Sequence, residues 1–441
     1  MIRATVRRGG DDGAGVSASG PLWSRTVEID DAEAAAAVGG GELCWLAPSC
    51  EIAGWGVALR TPVDGVRRRE VAADVIAHQL STIVADNGAT PATTTLPQLD
   101  AAPAPAPPGA RPVAFASLSF DAGASGSVAV VPRTTVQRRG GRAWVTTVAD
   151  RPVTAADVRL PPRTPEVGAT GRVRYAGTTA AEIAWIEAVD RAVRRIRAGD
   201  VEKVVLARDR LVYSDEPFDL PRVLARLHAR FPSCYTFRVE GLVGASPELL
   251  IRRAGAAVTS LVLAGTARRG ADPEEDRRIG AQLESSTKDL AEHRPAVDSV
   301  RATLTPLVSD LDVEPRPHLL RLANVQHLAT HVTGRLHTPT DALSLATRLH
   351  PTAAVGGTPT DRALQVIAEL ETIDRGRYAG PVGWVDAAGD GEFAIALRCA
   401  QFDDTAASAR LFAGAGIVAD SLPESELEET RLKLRAMQSA L

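Results

Sequence analysis

Aromatic side chains make up only 4% of this 441-residue sequence, and there are two methionines. A core must therefore come mainly from Val, Leu, Ile and Ala, which the 45% hydrophobic content supplies. The four cysteines, Cys44, Cys50, Cys234 and Cys399, form no CxxC pair. Neither a zinc ribbon nor a disulfide framework is indicated, and reduced core thiols are expected. No run of about 18 apolar residues occurs, and Met1 to Gly20 carries arginines and glycines instead of an apolar signal core. The expectation is a cytoplasmic protein with no membrane partner. Strong charge of one sign is also lacking: a formal net charge of -4 gives no overall attraction to nucleic acid. P-loop and dinucleotide-fingerprint spacings are missing as well.

What is present divides the chain by texture. Residues 1–20, and the Ala-, Pro- and Thr-rich stretch 91–112, bury too little apolar surface to order themselves and read as a tail and a loop. Short β-like runs fall at Cys44–Pro48, Gly54–Leu59, Val113–Phe120, Ser127–Val131 and Ala143–Val148. From Thr178 the period becomes helical, with Ile183, Ile186, Val189, Ala192, Val193 and Ile196 on one predicted stripe. A strand at Lys203–Ala207 follows. Helices are predicted at Leu220–Arg230, Asp272–Leu304, Thr340–Leu349, Asp361–Leu370 and Glu424–Ala440, and strands at Tyr235–Val239, Leu249–Arg253, Gly383–Val385, Phe393–Cys399 and Ala409–Phe412. Hairpin-like strands mixed with helices, without regular βαβ alternation, give an α+β class.

Several side chains could carry chemistry. Asp289 and Glu292, then Glu426 and Glu429, are each spaced i,i+3 on a predicted helix and share a face. Alone such pairs are commonly solvated, but two acidic faces brought together would make an all-oxygen site suited to Mg²⁺. Lys203 opens an apolar run, Val204-Val205-Leu206-Ala207, where burial would depress its pKa and let it act as a base; a lysine snorkelling from a strand end is the plainer alternative. Glu248 precedes another apolar strand and could be the matching acid, or simply a turn carboxylate. Gly265-Thr266 and Gly414-Ala415-Gly416 would let backbone approach a carboxylate, and Arg398, inside an apolar strand, would need an anionic partner. His327 and His331 lack the Glu of a helical zinc motif and sit in a strand-like context.

Taken in order, Gly199-Asp200-Val201-Glu202-Lys203-Val204-Val205-Leu206-Ala207-Arg208, Gly244-Ala245-Ser246-Pro247-Glu248, Leu263-Ala264-Gly265-Thr266 and Lys288-Asp289-Leu290-Ala291-Glu292-His293 resemble the chorismate-utilising enzymes. His350-Pro351-Thr352-Ala353-Ala354-Val355-Gly356-Gly357, Tyr378-Ala379-Gly380-Pro381, Gly414-Ala415-Gly416 and Glu426-Leu427-Glu428-Glu429-Thr430-Arg431-Leu432-Lys433 continue the series. The likeness is dense from residue 175 to the C-terminus and weak over 21–174.

The resemblance implies one large domain over 21–441, with antiparallel sheets from both halves packed against helices and a magnesium-bound chorismate site. Ammonia-using members carry glutamine where this chain has Lys203, whereas the isochorismate and salicylate synthases carry lysine. Water is therefore the implied nucleophile, no glutaminase subunit is expected, and a monomer is anticipated. Ala354 favours isochorismate formation, since salicylate synthases place threonine there; salicylate synthesis and a catalytically silent chorismate binder are the alternatives. Menaquinone and siderophore synthesis both stay open as destinations. The implied roles make Lys203 the base and Glu248 the acid. Glu292 and Glu429 hold Mg²⁺, with Asp289 and Glu426 in support. Tyr378, Arg398 and the Gly414–Gly416 backbone bind the enolpyruvyl carboxylate and Lys433 the ring carboxylate. Gly265 and Thr266 line the ring pocket, with His327 near the reacting hydroxyl and Ala354 among the substrate-binding residues. Pro295 is expected to kink the helix that carries Glu292.

Overall fold

The computed structural model describes residues 21–63, 68–85, 110–161 and 171–441, so the tail expected at 1–20 and most of the 91–112 loop lie outside the described residues. The fold is α+β, with helices packed on an extensive system of strands. Strand pairs are antiparallel, apart from one short parallel contact between Trp23–Ile29 and Val84–Ala85.

Two arms diverge from a long ribbon made by Cys50–Pro62 and Val128–Arg139. One arm continues through Leu43–Ala47, Tyr235–Val239, Leu242–Ser246, Cys399–Phe402 and Ser408–Ile417 to Lys203–Ser214. The other passes from Val113–Ser117 through Pro381–Asp386, Gly391–Ile395, Leu249–Ala254 and Ala257–Arg268 to Val325–Leu336. Each arm thus begins with one strand from before residue 175 and continues in strands from after it.

Side-chain alternation sets what each strand presents. In Lys203–Ser214, Val204 and Leu206 point into the core and are fully buried, leaving Lys203, Val205 and Ala207 on the opposite face. The helix Glu182–Arg197 buries Trp185, Ala188, Val189, Ala192, Val193 and Ile196. Ile183, expected on that stripe, is 63% exposed instead. Six positions before Val189 it is rotated well off the stripe at about 100° per residue, and Trp185 takes the buried place.

Two further expectations are corrected. The single helix predicted over Asp272–Leu304 is two, Pro273–Ser285 and Thr287–Leu304, because Ser286 adopts an extended conformation (ψ 115°) and its hydroxyl accepts the Asp289 N–H as an N-cap. The second of these helices runs through Pro295 to Leu304. The strand predicted over Phe393–Cys399 is interrupted: Gly391–Ile395 ends, Leu397 N–H turns back to the Ile395 carbonyl at 2.7 Å, and Arg398 has φ 49°. Arg398 therefore sits in a break between strands. The helix Leu220–Arg230 and the strand Tyr235–Val239 fall where predicted. No helix among the described residues is long and apolar enough to cross a membrane.

A buried polar knot joins the early strands to the late ones. Glu392, 0% exposed, accepts from Trp45 Nε1 at 2.9 Å, Ser49 Oγ at 2.5 Å and Arg252 Nε at 2.5 Å. Removing the carboxylate leaves an indole N–H and a guanidinium without their acceptor. Glu392→Ala is expected to lower unfolding free energy by about 3 kcal/mol. Urea denaturation should show this as a lower midpoint at nearly unchanged slope.

Candidate active site

The strand Lys203–Ser214 is flanked at its start by Gly357–Thr358 and along its length by Ser408–Ile417. The register places Gly414 opposite Ala207 and Gly416 opposite Val205, so the glycines share the face of Lys203 and Val205. Over this face lies a pocket enclosing about 680 Å³ of empty space, open solvent at its mouth included. Its floor includes Val205, Gly414 and Gly416; Glu292 and Lys433 enter from the helices Thr287–Leu304 and Pro423–Gln438. Glu248, Gly265, Thr266, His327, Ala354, Tyr378 and Arg398 stand at its wall, whereas the predicted Lys203, Asp289, Glu426 and Glu429 are not among its lining residues.

Glycine is required at two of these positions. A Cβ on Gly416 would stand 2.2 Å from Glu292 Oε1, so the bare backbone is what admits that carboxylate. Gly265 has φ 79° at an irregularity where the pairing of Ala257–Arg268 with Val325–Leu336 slips by one residue. That bulge turns the Ala264–Thr266 backbone toward the pocket.

Lys203 lies beneath the pocket wall, 1% exposed. Its Nζ donates to the Glu292 carbonyl at 3.0 Å and stands 3.5 Å from Glu292 Oε1. Glu248 is 4% exposed, and burial pushes its carboxyl up to about 8 against the opposing influence of Lys203 and a hydrogen bond from the Leu263 backbone. It is therefore largely protonated at neutral pH, as a proton donor must be. The alternative of a solvated turn carboxylate is excluded by this burial.

Two histidines shape the wall as neutral rings. Arg398 can only donate, so its Nη2 contact at 3.0 Å makes His327 Nε2 an acceptor. His327 Nδ1 then carries the proton toward Thr266 Oγ1 at 3.1 Å and the Gly265 carbonyl at 3.3 Å. Burial and the Arg398 charge hold its pKa well below the usual value. His293, pushed down to about 4 by burial, contacts the Ala264 carbonyl at 3.2 Å and Thr330 Oγ1 at 2.8 Å. Tyr378 stacks on Phe412 with ring centroids 5.0 Å apart.

The acidic pairs approach from two helices but do not close into a cage. Among the described residues no three His, Cys, Asp or Glu side chains converge on one point. Glu292, Glu426 and Glu429 each face a lysine: Lys203 at 3.5 Å, Lys288 at 3.1 Å and Lys433 at 2.5 Å. Burial and the neighbouring Glu429 raise the carboxyls of Glu292 and Glu426. Carboxylates that repel one another in an all-oxygen set fit a hard divalent cation that keeps much of its own water. Asp289 lies against Gly265, outside the pocket lining.

The family model described as chorismate binding enzyme matches residues 49–441. The chain belongs to the chorismate-binding enzymes. It is 42% identical over 261 residues to isochorismate synthase MenF of Bacillus subtilis (strain 168), covering 58% of this chain and 55% of that one. To isochorismate synthase DhbC of the same organism it is 43% identical over 265 residues, or 57% and 66%. The matched region thus spans between about half and two thirds of these relatives' lengths. The crystal structure of the putative 2,3-dihydroxybenzoate-specific isochorismate synthase DhbC from Bacillus anthracis superposes with a TM-score of 0.73 at 30% identity, covering 91% of this chain and 96% of that one.

In this chorismate-binding enzyme the pocket also takes Val355, Arg375, Leu397 and Phe412, which the sequence did not single out. Phe412 could have been found by alternation from Gly414; Arg375 carried no local signal beyond lying near Tyr378. Because native Glu248 holds its proton up to about pH 8 while an ordinary glutamate releases it near 4.5, the folded state binds more protons in that window and loses stability as pH rises through it. Thermal unfolding followed from about pH 5 to about pH 8 is expected to fall more steeply for the wild type than for Glu248→Gln.

Proposed function

We propose that this chain is a magnesium-dependent isochorismate synthase of the cytoplasm, converting chorismate to isochorismate by adding water at C2 and expelling the C4 hydroxyl, without a glutaminase subunit. The observation that carries the reading is the burial of Lys203 beside a pocket lined by Glu248, itself buried and with its carboxyl raised by that burial. The names of the relatives over the matched region agree with it.

In this reading Lys203, having first released its own proton, accepts one from water as a neutral amine while the oxygen bonds to C2. The ring double bonds shift, the C4–O bond breaks, and Glu248 gives its proton to the departing hydroxyl, which leaves as water. One water enters and one leaves, so no redox cofactor takes part. Arg398 keeps donors beyond the one spent on His327 and, with Tyr378 and the Gly414–Gly416 backbone, would hold the enolpyruvyl carboxylate. Lys433, now bonded to the Gly414 carbonyl at 2.9 Å, would turn to the ring carboxylate. Glu292 and Glu429 would hold Mg²⁺, with Asp289 and Glu426 behind them; the ion would neutralise the ring carboxylate as charge moves through the ring. Ala354 offers a methyl group to the pocket, at the position where salicylate synthases place threonine.

Purified protein incubated with chorismate and Mg²⁺ should yield isochorismate by chromatography and stop when the metal is chelated. Salicylate with pyruvate, anthranilate with ammonium, or no turnover would each overturn the reading. Lys203→Ala is expected to lower kcat by at least about 100-fold while calorimetry still shows chorismate binding; near-normal turnover would remove Lys203 from the base role.

A further inference from the structure

The strand that carries Lys203 has a gap along one edge. Gly357–Thr358 pairs with it only at Val204 and Lys203, and Val173–Tyr175 only from Val212 to Ser214. Between them no strand among the described residues covers that edge, yet three of its backbone groups find partners. The Val205 N–H donates to the Gly356 carbonyl at 2.9 Å. The Val205 carbonyl accepts from Arg375 Nη2 at 2.7 Å, and the Ala207 N–H donates to Glu371 Oε1 at 2.7 Å. Arg375 and Glu371 are joined through Nε and Nη2 at 2.9 and 2.5 Å, and Arg375 Nη1 donates to the Val355 carbonyl at 2.9 Å. The guanidinium carbon lies 4.0 Å from the centre of the Phe120 ring.

We propose that the Arg375–Glu371 pair is a side-chain substitute for the missing strand and positions Lys203 for catalysis. It offers the edge one donor and one acceptor, as a neighbouring strand would. It also ties that edge to Val355, the residue after Ala354, and so fixes the lysine strand relative to the wall that faces the ring. Arg375 borders the pocket, but four of its five N–H donors are already committed: Nε and one of Nη2 to Glu371, the other of Nη2 to Val205 and one of Nη1 to Val355. It is a positioning residue and not a substrate ligand. The inference rests on the isochorismate synthase reading.

Arg375→Ala alone strands a buried carboxylate, so the test uses Arg375→Lys, which keeps the charge, and the doubly uncharged pair Arg375→Met with Glu371→Gln. Both are expected to lose about 10- to 100-fold in kcat with KM for chorismate changed by less than about threefold. Amide hydrogen exchange should quicken at Val205 and Ala207 and stay at wild-type rates in the distant ribbon of Cys50–Pro62. Faster exchange with unchanged kcat would overturn the positioning role. A raised KM at constant kcat would make Arg375 a substrate ligand, and faster exchange throughout the molecule would leave it only a structural part. Failure of the wild type to convert chorismate is read separately, and it removes the parent reading and this one together.

Discussion

Charged groups taken out of water need partners, and that requirement organises this molecule. Lys203 is held under the pocket by the carbonyl and carboxylate of Glu292, Lys433 pairs with Glu429, and Arg375 is gripped by Glu371. Isolated ions in such surroundings would cost several kcal/mol each, so the partners are conditions for the site to exist. Glu248 meets the same constraint differently: it keeps its proton, which burial favours. One physical penalty thus yields both an amine poised beside a carboxylate and a carboxyl ready to donate.

The sheet supplies the geometry in which these partners meet. Because side chains alternate, Val205 faces the pocket and Lys203, on the same side of the strand, lies beneath its wall, while Val204 and Leu206 anchor the strand in the core. The antiparallel register sets Gly414 and Gly416 on the same face, and the missing side chain of Gly416 makes room for Glu292. Helices entering from the other side bring the acidic faces within electrostatic reach. The break at Ser286 matters here, since it starts a fresh helix and places Asp289 and Glu292 within its first two turns.

Much of the fold was legible because its signals are local. The helix Leu220–Arg230 and the strand Tyr235–Val239 fall within the bounds read from the sequence, and the structure adds Asp219 as the helix cap. Misreadings came where neighbours override local pattern. Ile183 looked apolar enough for the core stripe, yet the packing surface favoured Trp185; Arg398 looked like a strand residue until the left-handed turn appeared.

The candidate site divides along the same line. Residue types and ordered motifs determined by themselves which side chains could act: Lys203, Glu248, the two acidic pairs, the glycines and Arg398. Only the tertiary structure decided that Lys203 sits under Glu292 and not free in the pocket, that His327 is a neutral ring oriented by Arg398, and that Arg375 belongs to the wall at all. The reason is sequence separation. Lys203 meets Glu292 across 89 positions and Arg375 meets Val205 across 170. Such contacts are set by strand register and helix packing, which no local pattern of residues encodes.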